Sequence, residues 1–188
     1  MRNVLKAETL ERKFPLLAVE HGCIVSKDAD LTVAFEVLLP EIYTVTGSEY
    51  EAIHSAWVKA VRVLPDYSVV CKQDWFMKET YRPDFGGDGQ SFLAGSYERH
   101  FNERPYLNHS CYLYLTKTTR ERSRRRSDFS TLCRGHILPR EITDKETASR
   151  FLEAVEQFER IMNDSGLMSL RRMDTGEITG SLECPGLV

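Results

Sequence analysis

Leu31-Thr32-Val33-Ala34-Phe35-Glu36-Val37 sets Leu31, Val33, Phe35 and Val37 against Thr32, Ala34 and Glu36 at period two, the pattern of a strand with one face on a core. Immediately upstream, Leu16-Leu17-Ala18-Val19-Glu20-His21-Gly22-Cys23-Ile24-Val25 is a β-rich run closed by Ser26-Lys27-Asp28-Ala29-Asp30, so the two runs predict a hairpin around a polar turn. Downstream, Thr46-Gly47-Ser48-Glu49 matches a capping box, in which the threonine oxygen and the glutamate satisfy orphan backbone donors. Tyr50, Ile53, Trp57, Ala60, Val61 and Leu64 then follow at helical spacing until Pro65 stops the helix. Tyr67, Val69, Cys71, Trp75 and Met77 predict a long strand with Val70 and Phe76 on its other face.

The segment Pro83-Asp84-Phe85-Gly86-Gly87-Asp88-Gly89-Gln90-Ser91 is the strongest breaker cluster and predicts a loop. Leu93, Tyr97 and Phe101 lie four apart and predict a short helix ending before Pro105. Cys111-Tyr112-Leu113-Tyr114-Leu115 is a strand by its composition. A second capping box at Thr143-Asp144-Lys145-Glu146 opens a helix with Ala148, Phe151, Leu152, Val155, Phe158 and Met162 on one face and Gly166 as its stop. Leu167, Met168 and Leu170 return as a last strand. The order β-β-α-β-α-β-α-β predicts an α+β fold, a mainly antiparallel sheet with helices packed on one face. One domain is expected over residues 1–173, and residues 174–188, with few apolar anchors, are expected to fray.

Composition fits a single core. The 188 residues are 41% hydrophobic and 28% charged, with a mean hydropathy of −0.38, and a chain of this length buries roughly 70% of its unfolded surface. No stretch approaches the roughly 20 apolar residues of a spanning helix, and the charged beginning is unlike a signal peptide, so a cytoplasmic location is expected. A net charge of −3 argues against a dedicated duplex-DNA binder. Five cysteines, Cys23, Cys71, Cys111, Cys133 and Cys184, contain no C-x-x-C pair and fall mostly in apolar segments, which points to reduced, buried thiols.

Catalytic motifs are sparse. No glycine is followed by lysine, so the phosphate-binding pattern G-x-x-x-x-G-K-[ST] is missing, and Asp84 and Asp88 would repel phosphate from the glycine-rich loop. No cofactor is expected. His109-x-Cys111 and Cys133-x-x-His136 have metal-like spacing, but a buried thiol at Cys111 is the plainer reading. Glu20-His21-Gly22-Cys23 holds the residue types of a nucleophilic dyad, yet on one strand His21 and Cys23 would share a face while Glu20 turned away. Arg120, Arg122, Arg124, Arg125 and Arg126 form the one dense cationic cluster, suited to phosphates, acidic headgroups or an acidic protein surface; without aromatic residues among them, stacking on single strands is disfavoured. Tyr43, Trp75 and Phe76 are candidate anchors for a protein partner, since large aromatics dominate interface hot spots, although core packing accounts for at least one of the tryptophan and phenylalanine.

Phe14-Pro15-Leu16-Leu17-Ala18-Val19-Glu20-His21-Gly22-Cys23-Ile24-Val25-Ser26-Lys27-Asp28, with Glu49-Tyr50-Glu51-Ala52-Ile53-His54 and Lys72-Gln73-Asp74-Trp75-Phe76, resembles the amino-terminal region of the TraG family of conjugative-transposon proteins, themselves similar to the ATPases that energise type IV secretion. The resemblance extends over about residues 1–180. It implies an amino-terminal α+β domain that in the family precedes a P-loop motor, and the 188 residues contain no such motor, so no catalytic residue is carried over. The expected role is a noncatalytic docking and assembly domain in DNA transfer. Its implied partners are inner-membrane or cytoplasmic components of the conjugation apparatus and further copies of itself, reached from the cytoplasm, peripherally at the inner membrane through partner proteins. The alternative is a nucleic-acid contact module built on the Arg120 to Arg126 loop.

Overall fold

A computed structural model describes residues 14–27, 30–82, 91–118, 145–182 and 186–187. Its strands are β1 (Leu16–Glu20), β2 (Cys23–Ser26), β3 (Leu31–Leu38), β4 (Ser68–Glu79), β5 (Tyr106–Lys117) and β6 (Ser169–Arg172). The α-helices are α1 (Gly47–Val63), α2 (Phe92–Asn102), α3 (Lys145–Asp164) and α4 (Thr175–Thr179), with a 3-10 turn at Ile42–Thr44. The structure has the expected α+β class, with a sheet of six strands where the sequence order counts five. The chain has two compact units: Gln73–Cys111 forms one, and the sequence on either side forms the other.

The first apolar run is two strands. His21 and Gly22 both take positive φ, 53° and 68°, which turns the chain back so that Glu20 pairs with Cys23 and Val19 with Ile24. A two-residue hairpin of type I′ needs φ > 0 at both central positions, and only the glycine announces this in the sequence. The turn also abuts the chain's end. The Gly22 N–H donates to Thr175 Oγ1 at 2.9 Å, and a Cβ at Gly22 would stand 3.1 Å from the Met173 carbonyl oxygen.

The hairpin between β2 and β3 forms around the predicted turn, with Cys23 opposite Val33 and the Ser26 N–H donating to the Asp30 carbonyl. The strand order is β1-β2-β3-β5-β4, with β6 also paired to β3. Residues Leu31 to Val33 pair with β2 and Phe35 to Leu38 with β6, so those two short strands share one long neighbour. Asn163, at the end of α3, fixes β6 by bonding both the N–H and the carbonyl of Leu170.

Strand alternation produces two apolar layers in the larger unit. Cys23, Val33, Phe35, Leu113, Leu115 and Leu170 meet Ala60 of α1 and Phe151, Val155, Phe158 and Met162 of α3 in the main core. Trp57 packs edge-on against Phe158 at 5.8 Å between centroids. The capping box at Thr46 and Glu49 forms as expected, and α1 ends two residues before Pro65. The opposite face carries Ile24 and Ala34, joined by Met173 and by Ile178 of α4.

That second layer corrects two expectations. Helices do not all pack on one face, because Ile178 of α4 lies with the alternate strand residues. Residues 174–182, expected to fray, are held by a second capping box between Asp174 and Glu177, by Ile178 at 0% exposure and by Leu187, whose N–H donates to the Ile178 carbonyl. One buried isoleucine and one cap are too small a signal to register in a hydropathy pattern.

Candidate functional site

Within the unit Gln73–Cys111, β4 and β5 present opposite side-chain sets on their two faces. On one, the ring of Phe76 stacks on His109, 4.6 Å between centroids with 13° between planes, and His109 Nε2 lies 2.9 Å from Asp74 Oδ1. The carboxylate therefore holds the imidazole flat beneath the phenyl ring. Phe76 is nevertheless 64% exposed, and Leu107, two residues before His109 and so on its face, is 67% exposed. On the other face, Glu79 accepts hydrogen bonds from the Tyr106 hydroxyl and the Asn108 amide, and this contact holds the Tyr106 phenol above its ordinary range.

Helix α2 inverts the usual distribution. Ser91 caps it by accepting from the Ala94 N–H at 3.2 Å. The small Ala94 and Gly95 are half-buried, whereas Leu93, Tyr97 and Phe101, which the sequence presents as the helix's apolar stripe, face outward at 75%, 66% and 44% exposure. The helix has no buried residue. Tyr97 and Phe101 touch at 4.9 Å between centroids, and Tyr81 meets Phe101 edge-on at 6.5 Å. Scattered exposed apolar residues are ordinary, but Phe76 and Leu107 on the strand pair and Leu93, Tyr97 and Phe101 on the helix gather into two exposed apolar groups.

The three anchors read from the sequence part company here. Trp75 and Phe76 project to opposite faces of β4, the tryptophan half-buried and the phenylalanine exposed. Tyr43, in the 3-10 turn of the larger unit, is fully exposed. Sequence reading missed the aligning pair Asp74 and His109, whose signal was the matched alternation of two neighbouring strands, and it missed that the α2 stripe points outward.

Of the metal-like residues, His109 is engaged with Asp74 and Phe76, and Cys111 is 3% exposed. Cys133 and His136 lie outside the described residues, as do the Arg120 to Arg126 cluster, the glycine-rich loop at 83–90, Thr143 and Asp144 of the second predicted cap, and Cys184. Among the described residues no three His, Cys, Asp or Glu side chains gather as a metal site. The Glu20 to Cys23 stretch is a turn rather than one strand, with the Arg172 guanidinium donating to Cys23 Sγ at 3.3 Å, so the dyad geometry weighed from the sequence does not apply. A cleft between α1 and α3, about 390 Å³, is lined by Ala52, Ser55, Ala56, Lys59, Ile161, Asp164 and Ser165.

Fold and surface together define an α+β module with an exposed aromatic unit. A family described as a domain of unknown function, B. theta gene description (DUF3875), matches residues 3–55, little more than a quarter of the chain. The described part of that match covers β1 to β3, the 3-10 turn and the first half of α1. No curated protein matches the chain. No helix among the described residues is long and apolar enough to cross a membrane.

Proposed function

We propose that this chain is a noncatalytic docking and assembly domain of a conjugative-transfer ATPase of the type IV secretion kind, binding other proteins of the transfer apparatus through the exposed face of Gln73–Cys111. The observation that carries the reading is the prearranged aromatic face, in which Phe76 is held by His109 and Asp74 while staying 64% exposed beside Leu107. A ring already fixed in one orientation loses little conformational freedom on binding, which is what a hot-spot anchor requires. The resemblance of residues 14–28, 49–54 and 72–76 to the TraG amino-terminal region supplies the biological setting. Conjugation chemistry is outside this module: its part is to position a motor, with nucleotide hydrolysis occurring elsewhere.

The test is an affinity capture with the tagged 188-residue chain from solubilised membranes of cells carrying the transfer element, against an untagged control. Enrichment of transfer-apparatus proteins is the expected result. Recovery of none, with the chain shown to be folded by circular dichroism, would refute the docking role.

A further inference from the structure

We infer that the outer edge of β4 is a strand-acceptor site, and that its occupant is an extended segment of a partner protein carrying an apolar residue for Phe76 and an acidic one for Lys78. The inference rests on the reading of Gln73–Cys111 as a docking module and names the chemistry of its partner.

Strand β4 ends the order β1-β2-β3-β5-β4, with β5 its one neighbour in that order among the described residues. An edge strand presents a row of backbone N–H and C=O groups to whatever pairs there, and proteins blunt such edges with short strands, proline or bulges. The opposite edge is blunted in this way: β1 has five residues and a register shift between Leu16 and Ala18. By contrast β4 runs unbroken over Ser68–Glu79 without proline, and its Gln73–Glu79 part lies in the unit that carries the exposed Phe76.

The ladder fixes which groups face out. The Thr118 N–H donates to the Tyr67 carbonyl, and counting up from Tyr67 and down from Thr118 sets Phe76 opposite His109 and Glu79 opposite Tyr106, which are the contacts seen. In an antiparallel ladder, pairs that bond each other alternate with pairs whose backbone groups point away. Odd positions of β4 therefore bond β5, and Phe76 and Lys78 direct their N–H and C=O to the outer edge. Pairs of this second kind bring side chains closest, in keeping with the stacking of Phe76 on His109 at 4.6 Å.

A helix or a folded surface does not match such a row of backbone groups, whereas an extended segment does. Added antiparallel, it sets one residue opposite each of Lys78, Met77 and Phe76 in turn. Phe76 is 64% exposed and Met77 45%, so each gains from an apolar neighbour. Lys78 is exposed and favours an acid directly opposite. The occupant therefore reads acidic, apolar, apolar in consecutive positions, with backbone pairing supplying affinity and the side chains selectivity.

The probe is the fluorescein-labelled peptide Thr-Glu-Val-Ile-Val-Thr-Thr, titrated with the 188-residue chain to about 1 mM and read by anisotropy. Saturable binding is expected. N-methylation of the probe's glutamate and isoleucine, opposite Lys78 and Phe76, is expected to abolish it, whereas N-methylation of the two valines, whose N–H groups point away, is expected to leave it. Bound probe is expected to slow amide exchange at Phe76 and Lys78, read by NMR, and to leave Trp75 and Met77 unchanged. Lys78→Glu, checked for folding by circular dichroism, is expected to weaken binding about fivefold, and a probe with lysine in place of its glutamate to restore it. No saturable binding, indifference to where the N-methyl groups sit, or unchanged exchange at Phe76 and Lys78 would each overturn the inference. A dimer of the chain that the probe dissociates would assign the edge to a second copy and overturn it too. Excess probe is expected to compete away the captured transfer-apparatus proteins. Capture that persists under saturating probe would sink strand addition alone, and probe binding with the expected N-methyl pattern but no capture would sink the docking role alone.

Discussion

Replacing Ile178 by alanine probes the second apolar layer, where the structure departs furthest from what the sequence announces. Ile178 is 0% exposed and packs with Ile24, Ala34 and Met173, with Leu16, Val19, Tyr112, Tyr114 and Leu187 around them. The substitution deletes three carbons, about 2.4 kcal/mol of transfer free energy at roughly 0.8 kcal/mol each. The cavity left behind adds to this, within the range of about 2–5 kcal/mol seen for such truncations. Because α4 has five residues and Leu187 is only half-buried, the layer can partly collapse, which places the expected loss near 2.5–3.5 kcal/mol. A domain of this size loses about 2–4 °C per kcal/mol, so thermal unfolding followed by circular dichroism should show a midpoint lowered by about 5–14 °C. Leu182→Ala, at a position 108% exposed, is the control and should change stability by less than about 0.5 kcal/mol. A fall of under about 2 °C for Ile178→Ala would refute the seating of α4 on the sheet.

Three further outcomes follow from the same geometry. Gly22→Ala must place a side chain at φ +68° with its Cβ 3.1 Å from the Met173 carbonyl oxygen, and urea denaturation should register a loss of about 1–2 kcal/mol; an unchanged midpoint would argue against the tight turn. Phe158→Ala removes a fully buried ring and the edge-on contact with Trp57, so a loss of about 3–5 kcal/mol and a change in tryptophan emission are expected in the same titration. Glu49 and Glu177 are both held below the ordinary glutamate value of 4.5, first by the backbone N–H of the cap residue each one serves, Thr46 and Asp174, and then by the Thr46 hydroxyl and the Arg171 guanidinium respectively. A carboxyl depressed in the folded state binds fewer protons there than in the unfolded chain, so its stabilisation is present above about pH 4.5 and lost as the pH falls through the folded value. Melting temperatures measured from pH 6 down to pH 3 should fall, and a Glu49→Gln, Glu177→Gln double variant should fall less; identical slopes would contradict the caps.

The main layer was legible because each of its signals is local and repeated. Strand β3 carries four alternating apolar residues, α3 carries Phe151, Val155, Phe158 and Met162 at helical spacing, and Thr46 with Glu49 names its own helix start. The features that escaped depend on single residues or on tertiary context. His21 occupies a left-handed position that asparagine or glycine would have advertised, so one apolar run concealed two strands. Leu93, Tyr97 and Phe101 have the spacing of a core-facing stripe, yet it is the side with Ala94, Gly95 and Glu98 that the structure half-buries, because periodicity reports which residues share a face and not which way that face points. Trp75 and Phe76 stand out in the sequence by residue type, but adjacent positions on a strand put them on opposite faces of β4. The partner that orients Phe76, His109 clamped by Asp74, lies 35 positions from its carboxylate and emerges only when β4 and β5 pair.

The docking role meets its most direct test in a photo-cross-linking residue placed at position 76 of the 188-residue chain, in cells carrying the transfer element, with the same residue at exposed Glu51 of α1 as the reference position. Cross-links from position 76 to transfer-apparatus proteins, lost on Leu107→Asp and missing at position 51, are the predicted result. Equal labelling at the two positions, or none at position 76 in a folded chain, would contradict the assignment of the Phe76 face as the docking surface.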